Sequence, residues 1–397
     1  MTDRSVTFIH SSDFQLGMRR WFLDGDAQAR FDDSRLRAVA KLGELACSHN
    51  AEFIVVAGDV FDDNALSERT MGRALDAMDA LPVPVYLLPG NHDPLVPGAA
   101  LERADERENI SVLRDTTPVE HRPGVEIVGA PLLARYSTCD LAAQAIAELA
   151  PTEAIRILVA HGQCFSRSSE PKPDLIDLPG LEEALKRGTI DYVAMGDTHS
   201  AGPIGPGGKV WFSGSPEVTD FHDRREEVEG NETNSGNALV VTITKPTVTT
   251  ADVTVEEQRT GEWVFDALHW DVADADDVDR VLADLDAYPA KDRTVVKYSM
   301  TGTLGLEATG ALEEGLAARE DIFGALYERE SKMDLHIEPG DDELLNLPLS
   351  GYARDAMAEL VAAAASAQRD TGSGAGAADM TARDAVNLLF RLSKEGK

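Results

Sequence analysis

Basic residues are scarce in this chain: 37 Lys and Arg stand against 70 Asp and Glu, a formal net charge of −33. Proteins that grip nucleic acid unaided carry a basic stripe, because phosphate contacts supply most of the affinity. The deficit excludes that mode of binding, so any polyanionic substrate must be met by bound cations, a local patch or a partner. Cysteine is scarcer still. Cys47, Cys139 and Cys164 are widely spaced with no CxxC pair, which excludes a disulfide framework and a zinc knuckle. Cys164, near His161 in sequence, reads as a buried small hydrophobe rather than a reactive thiol. Long apolar runs are missing too. Nothing approaches the roughly 20 residues that a membrane helix needs, and Met1 to Ser5 lead into a strand pattern without a signal-peptide apolar core. The expectation is a soluble, cytoplasmic protein with no membrane association.

What the chain does have is 43% hydrophobic residues over 397 positions, enough for a large core and two or three domains. Five apolar runs of strand character are each followed directly by a short polar motif. Val6-Thr7-Phe8-Ile9 precedes Asp13-Phe14-Gln15, and Phe53-Ile54-Val55-Val56-Ala57 precedes Gly58-Asp59. Val85-Tyr86-Leu87-Leu88 precedes Gly90-Asn91-His92-Asp93, Ile157-Leu158-Val159-Ala160 precedes His161-Gly162, and Tyr192-Val193-Ala194-Met195 precedes Gly196-Asp197-Thr198-His199. Continuous apolar runs mark strands buried on both faces, and ligands of open α/β sheets collect beyond their carboxyl ends. Carboxylates, an amide and imidazoles therefore converge on one rim. That combination suits a binuclear metal centre.

Amphipathic segments alternate with these strands, including Asp33 to His49 and Ser67 to Leu81, which sets an α/β class. Short strands at 209–212 and 238–244 close this first domain near 254. The segment 255–345 reads as a smaller α+β unit, with strands near 264–270, 294–301 and 334–337 and helices near 275–288 and 307–329. Residues 346–397 are expected to be helical, near 354–367 and 381–394, around a Gly/Ser/Ala linker at 371–378. The last of these helices is apolar on one side, which fits docking on another surface or packing back on its own domain.

Singly, most of the motifs are weak. Asp13 and Gln15 in extended geometry would point to one side, and Gly58 allows a tight turn that leaves Asp59 at the rim. His161 alone reads as a core histidine. Gly90-Asn91-His92-Asp93-Pro94 is the most specific, and the five together in one strand context form a strong signal. Their order and spacing resemble the calcineurin-like metallophosphoesterases, and within them the SbcD-type DNA repair exonucleases. The resemblance extends through Trp211-Phe212-Ser213-Gly214-Ser215-Pro216-Glu217 and covers residues 1 to about 225.

That resemblance implies a four-layer αββα sandwich with a smaller α+β capping domain and a C-terminal helical segment. It implies two divalent ions, the first among Asp13, Gln15, Asp59 and His199, the second among Asp59, Asn91, His161 and Asp197, with Asp59 bridging. His92 would face the scissile phosphate as the catalytic group. Two positions depart from the family pattern: Gln15 and Asp197 stand where histidines are usual. A site richer in oxygen favours manganese, or magnesium, over zinc. Arg19 and Arg20, beside Trp21, are candidate substrate contacts. The resemblance further implies DNA as substrate, an SbcC-like ATPase partner and a homodimer. A small-substrate phosphoesterase, or a catalytically damped scaffold, is the alternative reading.

Overall fold

The computed structural model describes residues 4–164, 174–225, 231–337 and 351–367, with 385–386 and 388–389. The chain divides into two compact units, Met1–His222 with Val228–Val264, and Asp223–Glu227 with Phe265–Lys397.

In chain order the first unit contains β1 (Ser5–Ser11), α1 (Gly25–His49), β2 (Ile54–Val56), α2 (Glu68–Asp79), β3 (Val85–Leu87), α3 (Ala100–Ala104) and β4 (Ile110–Val112). There follow β5 (Val119–Arg122), β6 (Val125–Ala130), α4 (Leu141–Ile146), β7 (Ile155–His161), α5 (Leu178–Arg187), β8 (Tyr192–Gly196), β9 (Gly202–Ile204) and β10 (Val210–Phe212). After β11 (His222–Asp223) come β12 (Asn237–Thr247) and β13 (Thr250–Arg259). Two six-stranded sheets result, in the orders β13-β12-β1-β2-β3-β4 and β5-β6-β7-β8-β10-β9. The motif-bearing strands run parallel to one another within each sheet, β1 with β2 and β3, and β7 with β8, whereas β12 pairs antiparallel to β1.

Alternation along each strand explains why the runs are apolar throughout. Phe53, Val55 and Ala57 face the second sheet with Phe8, Ile157, Val159 and Tyr192. Ile54 and Val56 face the other way, against Val39 and Leu42 of α1 and Met71, Leu75 and Met78 of α2. On the far side Val128, Leu158 and Val193 pack on Ala142, Ala145, Leu181 and Leu185 of α4 and α5. The layers are therefore helix, sheet, sheet, helix, the expected αββα sandwich. Helix α1 starts where the Asp24 carboxylate accepts from the Asp26 and Ala27 N–H groups, and ends at the left-handed Asn50.

The first unit runs on past residue 254. Strand β13 stays paired to β12 as far as Arg259 opposite Asn237, so 255–259 belong to the sandwich.

The second unit holds β14 (Val264–Val272), α6 (Ala275–Asp286), β15 (Thr294–Leu304), α7 (Leu306–Glu320), β16 (Ala325–Glu328), β17 (Asp334–Ile337) and α8 (Tyr352–Ala367). Strand β15 pairs in parallel with both β16 and β17. The helix expected to reach 329 stops at Glu320. Residues 325–328 instead pair with Val295–Tyr298, and Leu326 joins the buried cluster of Trp270, Val296 and Met300. Tertiary pairing outweighs local propensity here. The 371–378 linker and most of the 381–394 helix lie outside the described residues. Val386 is buried with Leu306 and Met357, and Leu389 packs beside them, so this much of the segment docks on its own unit. Among the described residues no helix is long and apolar enough to cross a membrane.

Candidate metal centre

All five motifs emerge at the carboxyl ends of β1, β2 and β3 in one sheet and β7 and β8 in the other. Their loops are knitted by backbone hydrogen bonds: the Asp13 N–H donates to Gly58 O at 2.9 Å, and the Gln15 N–H to Asp59 O at 3.0 Å. The backbone is not extended here. Asp13 (φ 53°), Gln15 (49°), Asp59 (52°) and Asp197 (91°) occupy left-handed conformations, so the expected extended D-x-Q geometry does not hold. Such strain persists where surrounding structure over-determines it, typically at functional sites. Asn50, the remaining non-glycine with positive φ among the described residues, caps α1.

The motif glycines make room for ligand side chains. A Cβ on Gly90 would lie 2.1 Å from Asp59 Oδ1, and one on Gly58 would lie 2.2 Å from His161 Nδ1. Close approach dictates glycine at both positions, and at Gly58 the positive φ of 92° requires it as well.

Ligand atoms of Asp13, Asp59 and His161 all fall within 4.8 Å of one another. His161 donates from Nδ1 to Ala57 O at 2.8 Å, which turns Nε2 toward the rim. That Nε2 lies 2.8 Å from Asn91 Oδ1, 3.5 Å from Asp59 Oδ2 and 3.7 Å from Asp197 Oδ1. His199 Nε2 is 3.7 Å from Asp13 Oδ1. Gln15 donates from Nε2 to Asp59 Oδ2 at 3.1 Å, and the Asp197 N–H approaches both Asp13 oxygens at 3.2 Å. Asp13, Gln15, Asp59, Asn91, His161, Asp197 and His199 are thus brought together. His92 joins them: its N–H donates to Asp59 Oδ1 at 2.9 Å, and its Nδ1 donates to Asp62 O at 2.9 Å. Nε2 is then the free nitrogen of that ring.

Of the two arginines, Arg20 donates from its guanidinium to the Thr219 carbonyl. Arg19 is exposed. His10 packs between the sheets, held by Tyr192 Oη and the Met195 carbonyl.

Several contributors carried no sequence signal. The buried Glu232 carboxylate accepts from His199 Nδ1 at 2.8 Å and from the Thr219 N–H at 2.9 Å. Ser12 Oγ donates to Asp13 Oδ2 at 2.5 Å, and Gln163 Nε2 donates to Asp197 Oδ2. Glu232 follows no strand and sits in a charged stretch, so no pattern marks it.

Electrostatics show a surplus of negative charge. Burial depresses the His199 imidazole, but Glu232 and Asp13 outweigh it and raise the pKa to about 9. Burial opposes protonation of His161 as well, yet Asp59, Asp13 and Asp197 hold it well above the ordinary histidine value. Burial lifts Asp13 to about 6 against the pull of His199 and His161. Asp59 is also raised by burial, but His161 and the His92 N–H bring it down to about 2. The centre draws positive charge onto its imidazoles, as a cation site does when protons compete for it. Gln15 Oε1 is buried with no hydrogen-bond partner among the described residues. An orphaned carbonyl oxygen beside clustered carboxylates fits a cation. The donor set fits two divalent ions.

Residues 6–201 match the family described as calcineurin-like phosphoesterase. The stretch that carries all five motifs is therefore similar to the calcineurin-like phosphoesterases, a likeness that spans just under half of the chain. No curated protein matches the chain. Among solved structures, TT1561 from Thermus thermophilus is similar at 12% identity, with 64% of this chain and 99% of that chain covered and a TM-score of 0.38. A dimetal phosphatase from Danio rerio is similar at 12% identity, with 64% and 96% covered and a TM-score of 0.37.

Proposed function

We propose that this chain is a two-metal phosphodiesterase acting on DNA ends, an exonuclease of the SbcD type, with manganese preferred and magnesium accepted. The observation that carries the reading is the convergence of Asp13, Asp59, His161 and their neighbours around one orphaned amide oxygen. Asp13, Gln15, Asp59 and His199 would hold one ion, and Asp59, Asn91, His161 and Asp197 the other. When bound, such a pair activates water and neutralises phosphoryl oxygens for in-line displacement. The chain's own residues supply the rest. Asp62 fixes the His92 ring through Nδ1, so Nε2 is the atom that can stabilise the scissile phosphate or protonate the leaving oxygen.

Three aspartates replace the family's usual two, which leaves a harder, less positive centre. Activity and metal content measured across manganese, magnesium and zinc test the preference; a tight zinc pair with full activity refutes it. The net charge of −33 supports a partner that grips DNA, for which an SbcC-like ATPase with a basic surface is our candidate, with the nuclease as a homodimer. Deleting the residues after Thr371 tests whether the terminal segment contributes to that association. Metal-dependent digestion of end-labelled DNA, compared with bis(p-nitrophenyl) phosphate, tests the activity itself.

The acidity also favours a second reading, a phosphoesterase for small substrates. Hydrolysis of bis(p-nitrophenyl) phosphate without digestion of DNA selects it. Absence of any metal-dependent hydrolysis selects the damped scaffold.

A further inference from the structure

Asp197 enters the cluster from the loop after β8, and three contacts fix how it does so. Its N–H approaches both Asp13 oxygens at 3.2 Å, and the carbonyl of Gly196 before it accepts from the Gly162 N–H at 3.2 Å. The third contact is made by the side chain. Gln163 Nε2 donates to Asp197 Oδ2, while Asp197 Oδ1 lies on the ligand side, 3.7 Å from His161 Nε2. Gln163 is itself anchored, because its carbonyl accepts from the N–H of the buried Ile176 at 2.9 Å.

A carboxylate can hold a cation with one oxygen or with both, and that choice bears on which ion it suits. Magnesium demands a near-octahedral shell, and manganese is likewise suited to octahedral oxygen sites, whereas calcium takes about six to eight oxygens and accepts bidentate carboxylates. With Oδ2 engaged by an N–H, Asp197 has Oδ1 left to give. Space does not make the selection: Gln163 and Asp197 both line a cavity of about 340 Å³, room enough for the extra waters of a larger ion. The number of oxygens that Asp197 presents is what discriminates.

We infer that Gln163 is a positioning residue that keeps Asp197 a one-oxygen ligand, and so makes the second ion position select manganese or magnesium against calcium. The inference rests on the two-metal reading and adds to it a residue that holds no ion. Without the amide N–H, Oδ2 is free to turn in beside Oδ1, which suits calcium and crowds an octahedral shell. The first ion position, which does not include Asp197, is indifferent to Gln163.

The test is displacement: the manganese-loaded full chain is titrated with calcium, and released manganese is read from the electron paramagnetic resonance signal of the free aqua ion. Two positions give two midpoints, and the one that Asp197→Asn moves belongs to the second position. Gln163→Met, close in size but without the N–H, should lower that midpoint about 10-fold or more, the order that losing such a partner costs a metal site. Gln163→Glu, which also lacks the donor, should shift the same midpoint in the same direction. In the Asp197→Asn background Gln163→Met should add nothing, because its effect runs through that carboxylate. Midpoints that neither Gln163 variant moves, a shift of both midpoints alike, or a full further shift in the Asp197→Asn background each overturn the role of Gln163 alone. A wild-type chain that loads fewer than two manganese ions sinks the two-metal reading with it.

Discussion

His199 donates from Nδ1 to the buried Glu232 carboxylate at 2.8 Å, which leaves Nε2 facing Asp13 Oδ1 at 3.7 Å. A carboxylate behind a metal-ligating histidine fixes the ring and raises its basicity, and losing it typically lowers metal affinity about 10- to 100-fold. Glu232→Gln should weaken one of two manganese sites by that order and spare the other. Metal titration followed by calorimetry checks it. Two sites of unchanged affinity would show that Glu232 has only a packing role.

His92 touches the cluster through its backbone N–H and turns its ring to Asp62 instead of to a ligand atom. His92→Asn keeps the N–H to Asp59 and removes Nε2 as an acid or base. The expected outcome is a loss in kcat of about 10²- to 10⁴-fold, with manganese stoichiometry unaltered. Steady-state hydrolysis of bis(p-nitrophenyl) phosphate and metal analysis of the same preparation settle the point. Unchanged turnover would remove His92 from the chemistry.

The sandwich was legible because apolar runs such as 53–57 announce strands buried on both faces, and the motifs announce where those strands end. Seven ligand candidates converge as their strand context implies. What escaped was whatever depends on pairing between distant segments. Strand β16 looks helical until Leu326 is seen beside Val296, and β13 looks like the start of a new domain until its partner β12 is known. Glu232 escaped for the same reason: it reaches His199 from 33 residues away in a stretch without periodicity. The left-handed φ values at Asp13 and Gln15 have no sequence signature either, since only glycine advertises that region.

Lys245 is fully buried, and its ammonium donates to Asp191 Oδ2 and to the Ala154 carbonyl, both at 2.8 Å. Asp191 also accepts from the Arg156 N–H at 2.9 Å. Removing one partner of such a pair strands a buried charge, at a cost of about 3–5 kcal/mol. Lys245→Met should lower unfolding stability by that amount in urea titrations. Adding Asp191→Asn should restore much of it, because the stranded charge is gone. A single variant as stable as wild type would mean that water reaches this pair.

His10 gives the chain a pH dependence of predictable sign. It is fully buried between the sheets, and desolvation, partly offset by the Met195 carbonyl, lowers its pKa from 6.5 to about 3. Nε2–H donates to that carbonyl at 3.2 Å, and Nδ1 accepts from Tyr192 Oη at 3.0 Å, so the neutral ring is fully satisfied. Below pH 6.5 the unfolded chain binds a proton that the folded chain refuses. The stability is therefore complete above that value and is lost as pH falls toward 3. The slope from this one group approaches about 1.4 kcal/mol per pH unit. His10→Gln keeps a donor and an acceptor but cannot titrate, so its urea midpoint should fall less steeply between pH 6.5 and 5 than that of wild type. Parallel pH profiles for the two proteins would show that His10 takes up its proton without unfolding.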